Sequence, residues 1–158
     1  MHEELDRALS LASNELKYKA EIVREYGDLP QVQCIPTQLN QVFLNLLVNA
    51  AHAMEGRGRI TISTTRSAVP KEVESQPGSN GEWVCIKVAD NGKGIDDDTL
   101  ARIFEPFFTT KEVGKGTGLG LSVSLGIIHG HNGHIGVESE PGVGTTFTVW
   151  LPVARDVD

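Results

Sequence analysis

The feature that most constrains the fold of this chain is the alternation of helical segments with pairs of strand-like segments. The strongest helix is predicted over residues 37–54, where apolar residues recur at helical spacing and Thr37 suits the capping position. In chain order, we predict helix 3–19, strands 20–26 and 32–35, helix 37–54, strands 59–66 and 82–89, helices 96–103 and 117–130, and strands 133–140 and 145–151. This order predicts an α+β fold. We expect a two-layer α/β sandwich, in which about three helices cover one face of a mixed, mostly antiparallel sheet of about five strands.

The composition argues against several classes of partner. A chain of 158 residues is long enough for one domain with its own core. Its 14 Lys and Arg against 21 Asp and Glu give a net charge of −7, which disfavours nucleic acid or an anionic membrane as the main partner. No apolar run approaches the ~20 residues that span a bilayer, and no signal peptide is visible. We therefore expect a cytoplasmic domain without direct membrane contact, in which Cys34 and Cys85 are buried thiols in a reducing compartment.

Two glycine-rich segments predict a phosphate-binding site. They are Asp90–Gly94 and Gly114–Gly120, and in the second every other residue is glycine. Glycine allows backbone N–H groups to approach and surround a phosphate. The second segment fits neither the dinucleotide-binding pattern nor the P-loop pattern. It runs instead into the predicted helix 117–130, whose free N–H groups favour anions.

Each glycine-rich segment also has a simpler interpretation. Asp90, at the end of a predicted strand, can accept a hydrogen bond from an exocyclic amine such as that of adenine. Asp, Asn and Gly are, however, also the residues expected in an ordinary β-turn. The segment 114–120 resembles a linker in composition, although a linker seldom continues into an apolar helix.

Two amides interrupt the apolar pattern of the predicted helix 37–54. Asn45 and Asn49 are four residues apart and therefore stack on one face, with His52 close to that face. An unpaired buried amide costs ~1–3 kcal/mol, so each needs a partner. Either the two amides bond to a neighbouring strand or loop, or they contact a cation and phosphates, and the glycine-rich segments favour the second alternative. The amide oxygen of Asn49 is a ligand type that suits Mg²⁺.

The segment 104–111 contains three aromatic residues within five positions, followed by Lys111. Its aromatic residues can anchor a loop to the core, form the hinge of a lid over a nucleotide, or serve both roles. Lys111 either contacts phosphates or remains in solvent.

Five segments, taken in order, resemble the motifs of sensor histidine kinases. They are Asn45–Ala51, Asp90–Gly94, Phe104–Phe108, Gly116–Leu121 and Gly142–Phe147. Details within the first and third segments are similar to kinases of the nitrogen-regulation type. The resemblance implies the Bergerat ATP-binding fold, with a catalytic domain over 20–153 and a tail over 154–158. Residues 1–19 would be the end of a dimerisation region or an N-terminal helix.

The resemblance also implies a site for ATP and Mg²⁺. Asn49 would bind the metal, Asn45 would contact the metal or the phosphates, and Asp90 would bind the amino group of adenine. Residues 105–116 would form a lid over the nucleotide. The other nucleotide contacts implied by the resemblance are His52, Gly92, Gly94, Ile95, Phe104, Lys111, Gly116, Thr117, Gly118, Leu119, Gly120 and Thr146.

Asn45 favours a kinase over an ATPase. Hydrolytic members of the superfamily carry a Glu at this position as a base for water, and an amide cannot take a proton. The resemblance implies that the γ-phosphoryl group goes to a histidine on a separate dimerisation domain, in cis or in trans, and then to a response regulator receiver domain. His2 does not fit the acceptor, because the residues after it do not continue the family's motif. The alternatives are a serine kinase or ATPase of the same superfamily, or a non-catalytic nucleotide-sensing module.

Overall fold

The structure is a computed structural model that describes residues 1–17, 20–54, 58–68, 82–105 and 120–153. The helices in these ranges are α1 (His2–Leu11), α2 (Ser13–Leu16), α3 (Pro36–His52), α4 (Asp97–Leu100) and α5 (Gly120–Gly130). The strands are β1 (Ala20–Tyr26), β2 (Gly58–Ser67), β3 (Trp83–Asp90), β4 (His134–Glu140) and β5 (Gly144–Pro152).

The strands form one sheet in the order β1-β2-β3-β5-β4. β1 is parallel to β2, and the other neighbouring pairs are antiparallel. The sheet is therefore mixed and mostly antiparallel, and the predicted fold class is confirmed.

The core lies between one face of the sheet and the helices. The register aligns Ile62, Val88 and Phe147 across β2, β3 and β5, and all three side chains are buried. Because side chains alternate along a strand, these residues define the covered face. α3 contributes a matching apolar face, which consists of Leu39, Val42, Phe43, Leu46, Leu47, Ala50 and Ala51. α1 and α5 each pack against α3, so α3 sets the position of the other two helices.

The predicted strand over 32–35 is wrong. Residues 27–35 have no regular secondary structure, and β1, the edge strand of the sheet, pairs with β2. Leu29, Val32 and Cys34 nevertheless pack partly against the core. A loop that lies on a core can show the same apolar alternation as a strand, and four residues are too few to separate the two.

Three predicted helices have different bounds in the structure. The predicted helix 3–19 is interrupted after Leu11, and α2 covers only Ser13–Leu16. α3 begins at Pro36, with Ile35 rather than Thr37 in the N-cap position, because Pro is well suited to the first helical residue. α4 ends at Leu100 instead of 103. Residues 18–19, 117–119 and the tail 154–158 lie outside the described residues.

None of the described helices combines the length and the apolar character that a membrane crossing requires. Both cysteines are free thiols. Cys85 is buried as expected, whereas Cys34 is only half-buried, which corrects the expectation for that residue. Burial raises the pKa of both thiols above the ordinary value.

Candidate nucleotide-binding site

Asp90 is the last residue of β3 and lies on the sheet face that the helices cover. Its neighbours across the sheet are the buried residues Ile60 of β2 and Thr145 of β5. Burial raises the pKa of Asp90, and hydrogen bonds from the backbone of Gly92 and Thr145 lower it in part. The bond from the Gly92 N–H to Oδ1 measures 2.9 Å. A carboxylate held in this way is positioned to accept a further hydrogen bond from a ligand amine.

The loop that follows β3 is held between the end of α3 and the turn that joins β4 to β5. The Lys93 N–H donates to the carbonyl oxygen of Ala53 at 3.0 Å, and the Lys93 carbonyl accepts from the Gly142 N–H at 2.8 Å. The Ile95 N–H donates to Oγ of Ser139 at 2.7 Å. These contacts place the loop against two separate elements of the fold.

Gly92 and Gly94 make these close contacts possible. A Cβ on Gly92 would lie 2.5 Å from the carbonyl oxygen of Ala53. Gly94 has a φ of 75°, and a Cβ there would collide with the carbonyl oxygen of Glu140. The resemblance assigned both glycines to contacts with the nucleotide. In the structure, the backbone that they approach is the protein's own.

The Asn45 side chain connects α3 to the beginning of α5. Its Nδ2 donates to the carbonyl oxygen of Gly120 at 2.9 Å and to Oγ of Ser124 at 3.1 Å. Its Oδ1 accepts from Nε2 of Gln41 at 3.0 Å. For Asn45 the structure therefore shows the first of the two alternatives, an amide that bonds to a neighbouring segment. Contact between Asn45 and a metal or phosphate stays a prediction.

Asn49 lies between the two halves of the candidate site. Asn45, Asn49 and Ala53 follow one another at intervals of four residues, so they lie on one face at the C-terminal end of α3. Asn45 contacts the start of α5, and Ala53 contacts the loop after β3. Asn49 is thus about 6 Å along the helix axis from each contact point. Its amide makes no hydrogen bond to any side chain or backbone group within the described ranges.

Three other predicted residues near these elements occupy half-buried positions. His52 is the last residue of α3. Phe104 packs against the hydrophobic core, which agrees with the anchoring role. Ile95 belongs to the loop after β3 and is also half-buried.

The structure does not bring Thr146 to Asp90. Thr146 pairs with Ala89 and Glu138, so its side chain projects from the opposite face of the sheet. Thr145, its neighbour in sequence, is the residue beside Asp90. The alternation of Phe147, Val149 and Leu151 along β5 places Thr145, and not Thr146, on the face that the helices cover. The prediction of Thr146 did not use this signal.

Several predicted contacts lie outside the described residues. They are Lys111, Gly116, Thr117, Gly118 and Leu119, together with residues 106–116 of the predicted lid. Gly120 is described, as the first residue of α5.

His2 is engaged in contacts between α1 and the sheet. Its ring stacks on Tyr26 with a centroid separation of 4.3 Å, and its Nε2 lies 2.8 Å from Oγ1 of Thr64. Tyr26 in turn donates to Asp6 of α1 at 2.9 Å. These contacts agree with a structural role for His2 and not with a phosphoacceptor.

The described residues suit Mg²⁺ only if the nucleotide supplies most of the ligands. Within the described ranges, no group of three or more His, Cys, Asp or Glu could hold a metal ion. Mg²⁺ is commonly held by one or two protein oxygens, with phosphates and water completing its shell. The amide oxygen of Asn49 fits that pattern.

A family profile described as "Histidine kinase-, DNA gyrase B-, and HSP90-like ATPase" matches residues 34–155. The sensor kinase CckA of Brucella abortus is 47% identical over 127 residues, which cover 79% of this chain and 13% of CckA. The sensory histidine kinase/phosphatase NtrB of Rhodobacter capsulatus is 41% identical over 155 residues, covering 98% of this chain and 43% of NtrB. The chain thus spans less than half the length of either relative.

Solved structures have the same fold. The catalytic domain of the histidine kinase ThkA matches with a TM-score of 0.76 and 28% identity, over 96% of this chain and 91% of that one. Full-length ShkA, solved in complex with AMPPNP, matches with a TM-score of 0.75 and 28% identity, over 98% of this chain and 30% of that one. At this coverage, the similarity extends beyond the profile to the N-terminal helices and β1.

Proposed function

We propose that this chain, which belongs to the family of histidine kinase-, DNA gyrase B- and HSP90-like ATPases, is the ATP-binding catalytic domain of a two-component sensor histidine kinase. The domain binds ATP with Mg²⁺ and donates the γ-phosphoryl group to a histidine on a separate dimerisation domain. The phosphoryl group then passes to the receiver domain of a response regulator. The relatives' names, sensor kinase and sensory histidine kinase, support this assignment.

The observation that carries the proposal is the polar face of α3. On this face, Asn49 lies between the contact of Asn45 with α5 and the contact of Ala53 with the loop after Asp90. A nucleotide that extends from Asp90 to the start of α5 would pass Asn49 with its phosphates. This face therefore connects the proposed adenine side of the site, at Asp90, with the proposed phosphate side, at the start of α5. Asn49 lies between the two sides, and its amide makes no hydrogen bond to the described protein groups.

Each proposed role follows from the local chemistry. Asp90 accepts a hydrogen bond from the adenine amino group, which a carboxylate fixed by the Gly92 N–H is oriented to do. Asn49 holds Mg²⁺ through its amide oxygen, and the ion neutralises charge on the phosphate oxygens when bound. Phosphoryl transfer in such a site depends on positioning and electrostatics more than on covalent work by the protein.

The position of Asn45 supports transfer over hydrolysis. A general base for water must accept a proton, and an amide cannot do so. The Asn45 amide is, in addition, occupied by three hydrogen bonds within the protein. The γ-phosphoryl group is then retained for an acceptor that another domain supplies.

The remaining assignments follow from the same proposal. The catalytic domain covers 20–153, preceded by the end of a dimerisation region or an N-terminal helix over 1–19, and followed by a tail over 154–158. The domain works in the cytoplasm, binds no nucleic acid and makes no direct contact with a membrane. The net charge of −7 supports the last two points.

Calorimetric titration with ATP and Mg²⁺ tests the site. We expect Asn49→Ala and Asp90→Ala each to abolish measurable binding, because one removes the metal ligand and the other the adenine acceptor. Asn14→Ala and Asp98→Ala make the same side-chain changes at exposed positions in α2 and α4, and should bind like the unchanged protein. Near-normal affinity in both site variants would refute the site assignment.

A further inference from the structure

A buried serine joins α5 to the polar face of α3. Ser124 is fully buried, and its hydroxyl donates to the carbonyl oxygen of Gly120 at 2.8 Å. The same hydroxyl oxygen accepts a hydrogen bond from Nδ2 of Asn45 at 3.1 Å. Because Nδ2 also donates to the Gly120 carbonyl oxygen, at 2.9 Å, the three residues form a closed network at the first turn of α5.

The network fixes the orientation of the Asn45 amide. The Nδ2 group donates to both Gly120 and Ser124, and Oδ1 accepts from Gln41 at 3.0 Å. A flipped amide would place its oxygen against the Gly120 carbonyl and its N–H groups against the donor of Gln41. Only one orientation therefore satisfies all of these partners.

Ser124 occupies a position that packing alone would give to an apolar residue. It shares the buried face of α5 with Ile128, one turn later, and its chain neighbours Val123 and Leu125 are apolar. A hydroxyl is tolerated in such a place when it is hydrogen-bonded. The reason for a serine here is therefore the link to Asn45 and Gly120.

We propose that Ser124 is a positioning residue for the phosphates of the nucleotide, and that it acts through Asn45 and Gly120. The proposal rests on the proposed function, because it takes the phosphates to lie at the start of α5. Free N–H groups at a helix N-terminus attract an anion, and their contribution to phosphate binding depends on where the helix begins. The network holds the Gly120 end of α5 against α3, one helical turn from Asn49.

Positioning predicts a selective effect on binding. Loss of the Ser124 hydroxyl removes a partner of Asn45 and loosens the start of α5 against α3. Asp90, whose contacts are with Gly92 and Thr145, is not part of the network. A serine that served only stability would change the affinity for every ligand alike, whereas a positioning residue changes only the affinity that depends on phosphates.

Titrations of Ser124→Ala and Gln41→Ala with Mg-ATP, Mg-ADP and adenosine test the proposal. We expect Ser124→Ala to raise the Kd for ATP and ADP about tenfold, the order expected for one lost hydrogen bond at a fixed site. Gln41→Ala, at an exposed position that cannot disturb the core, should raise both constants by a smaller factor. The adenosine Kd should change less than about twofold in either variant. Ser10→Ala, an exposed serine in α1, is the matched control and should leave all three constants unchanged.

A double variant tests whether the residues act as one network. If they do, Asn45→Ala combined with Ser124→Ala should bind ATP no more weakly than the worse single variant. Equal losses for ATP and adenosine in Ser124→Ala, or an unchanged ATP Kd in Ser124→Ala, would overturn the positioning role and leave the proposed function intact. An unchanged protein that binds ATP no better than adenosine would overturn both.

Discussion

Asp90 has opposite effects on stability and on binding. Its folded-state pKa is raised, chiefly by burial, so the ionised form is less favourable in the folded protein than in the unfolded chain. The contribution of Asp90 to stability is then fully present below the ordinary pKa of Asp and is lost as the pH rises through the folded-state pKa. The same ionised carboxylate is the form that accepts a hydrogen bond from adenine.

We therefore expect Asp90→Asn to raise the Tm at neutral pH while it weakens ATP binding. The amide keeps an oxygen that accepts from the Gly92 N–H, and it removes the charge. The gain in Tm should shrink as the pH falls through the raised folded-state pKa of Asp90, because the carboxyl of the unchanged protein is then protonated and uncharged. Thermal denaturation from neutral to acidic pH measures this difference in Tm, with Asp98→Asn at an exposed position as the control. A lower Tm for Asp90→Asn at every pH would show that the backbone hydrogen bonds outweigh burial.

At the residue scale, the sequence indicated which residues carry polar chemistry, but it did not indicate which protein groups they contact. Asp90 and Asn49 were predicted as site residues from residue type and spacing. The structure places Asp90 at the end of β3 and Asn49 on the polar face of α3, and their contacts with a ligand stay predictions. Gly92 and Gly94 were assigned to a ligand, yet they approach Ala53 and Glu140. Those approaches join segments about forty residues apart in sequence, and no local pattern reports such contacts.

At the element scale, a second link ties α5 to α3. His131 follows α5, and its Nδ1 lies 2.8 Å from the Ile127 carbonyl oxygen, so that nitrogen carries the proton. Its Nε2 accepts from the N–H of Ile35, the N-cap residue of α3, at 3.0 Å. α5 is thus joined to α3 at its beginning through Asn45 and just beyond its end through His131.

Removal of this link should loosen the start of α3. We expect His131→Ala to lower the free energy of unfolding by about 1–2 kcal/mol, because two hydrogen bonds are lost. Hydrogen exchange should also become faster at the Ile35 amide. His129→Ala, at an exposed position in α5, is the matched control and should change neither quantity. Unchanged exchange at Ile35 in His131→Ala would contradict the link.

Apolar periodicity predicted the helices and strands that pack one face against the core. It failed where tertiary contacts, and not the local sequence, determine the backbone conformation. The long helix α3 and the strands β2, β3 and β5 were located to within a residue or two. The segment 32–35 alternates like a strand, but it is a loop in which Val32 and Cys34 pack partly against the core. The break after Leu11 divides a helix whose irregular apolar stripe was visible in the sequence.

At the scale of the whole molecule, the resemblance to sensor histidine kinases is confirmed by family membership. α3 organises the domain, since α1 packs on it, α5 is fixed to it, and its last turn receives the loop after β3. Such a domain is suited to bind a nucleotide and present it. In the proposed function, the acceptor belongs to another domain. Family membership alone does not separate a kinase from an ATPase, because the family includes both, and Asn45 is the residue that favours the kinase.

Transfer of labelled phosphate from ATP tests the central claim most directly. The domain would be incubated with γ-labelled ATP, Mg²⁺ and a separately made dimerisation domain, a helical hairpin that carries the proposed acceptor histidine. We predict label on the hairpin that is lost in acid, as expected for phosphohistidine, and no label with Asn49→Ala or with a hairpin that lacks its histidine. Acid-stable label on the hairpin, or release of free phosphate without transfer, would contradict the account.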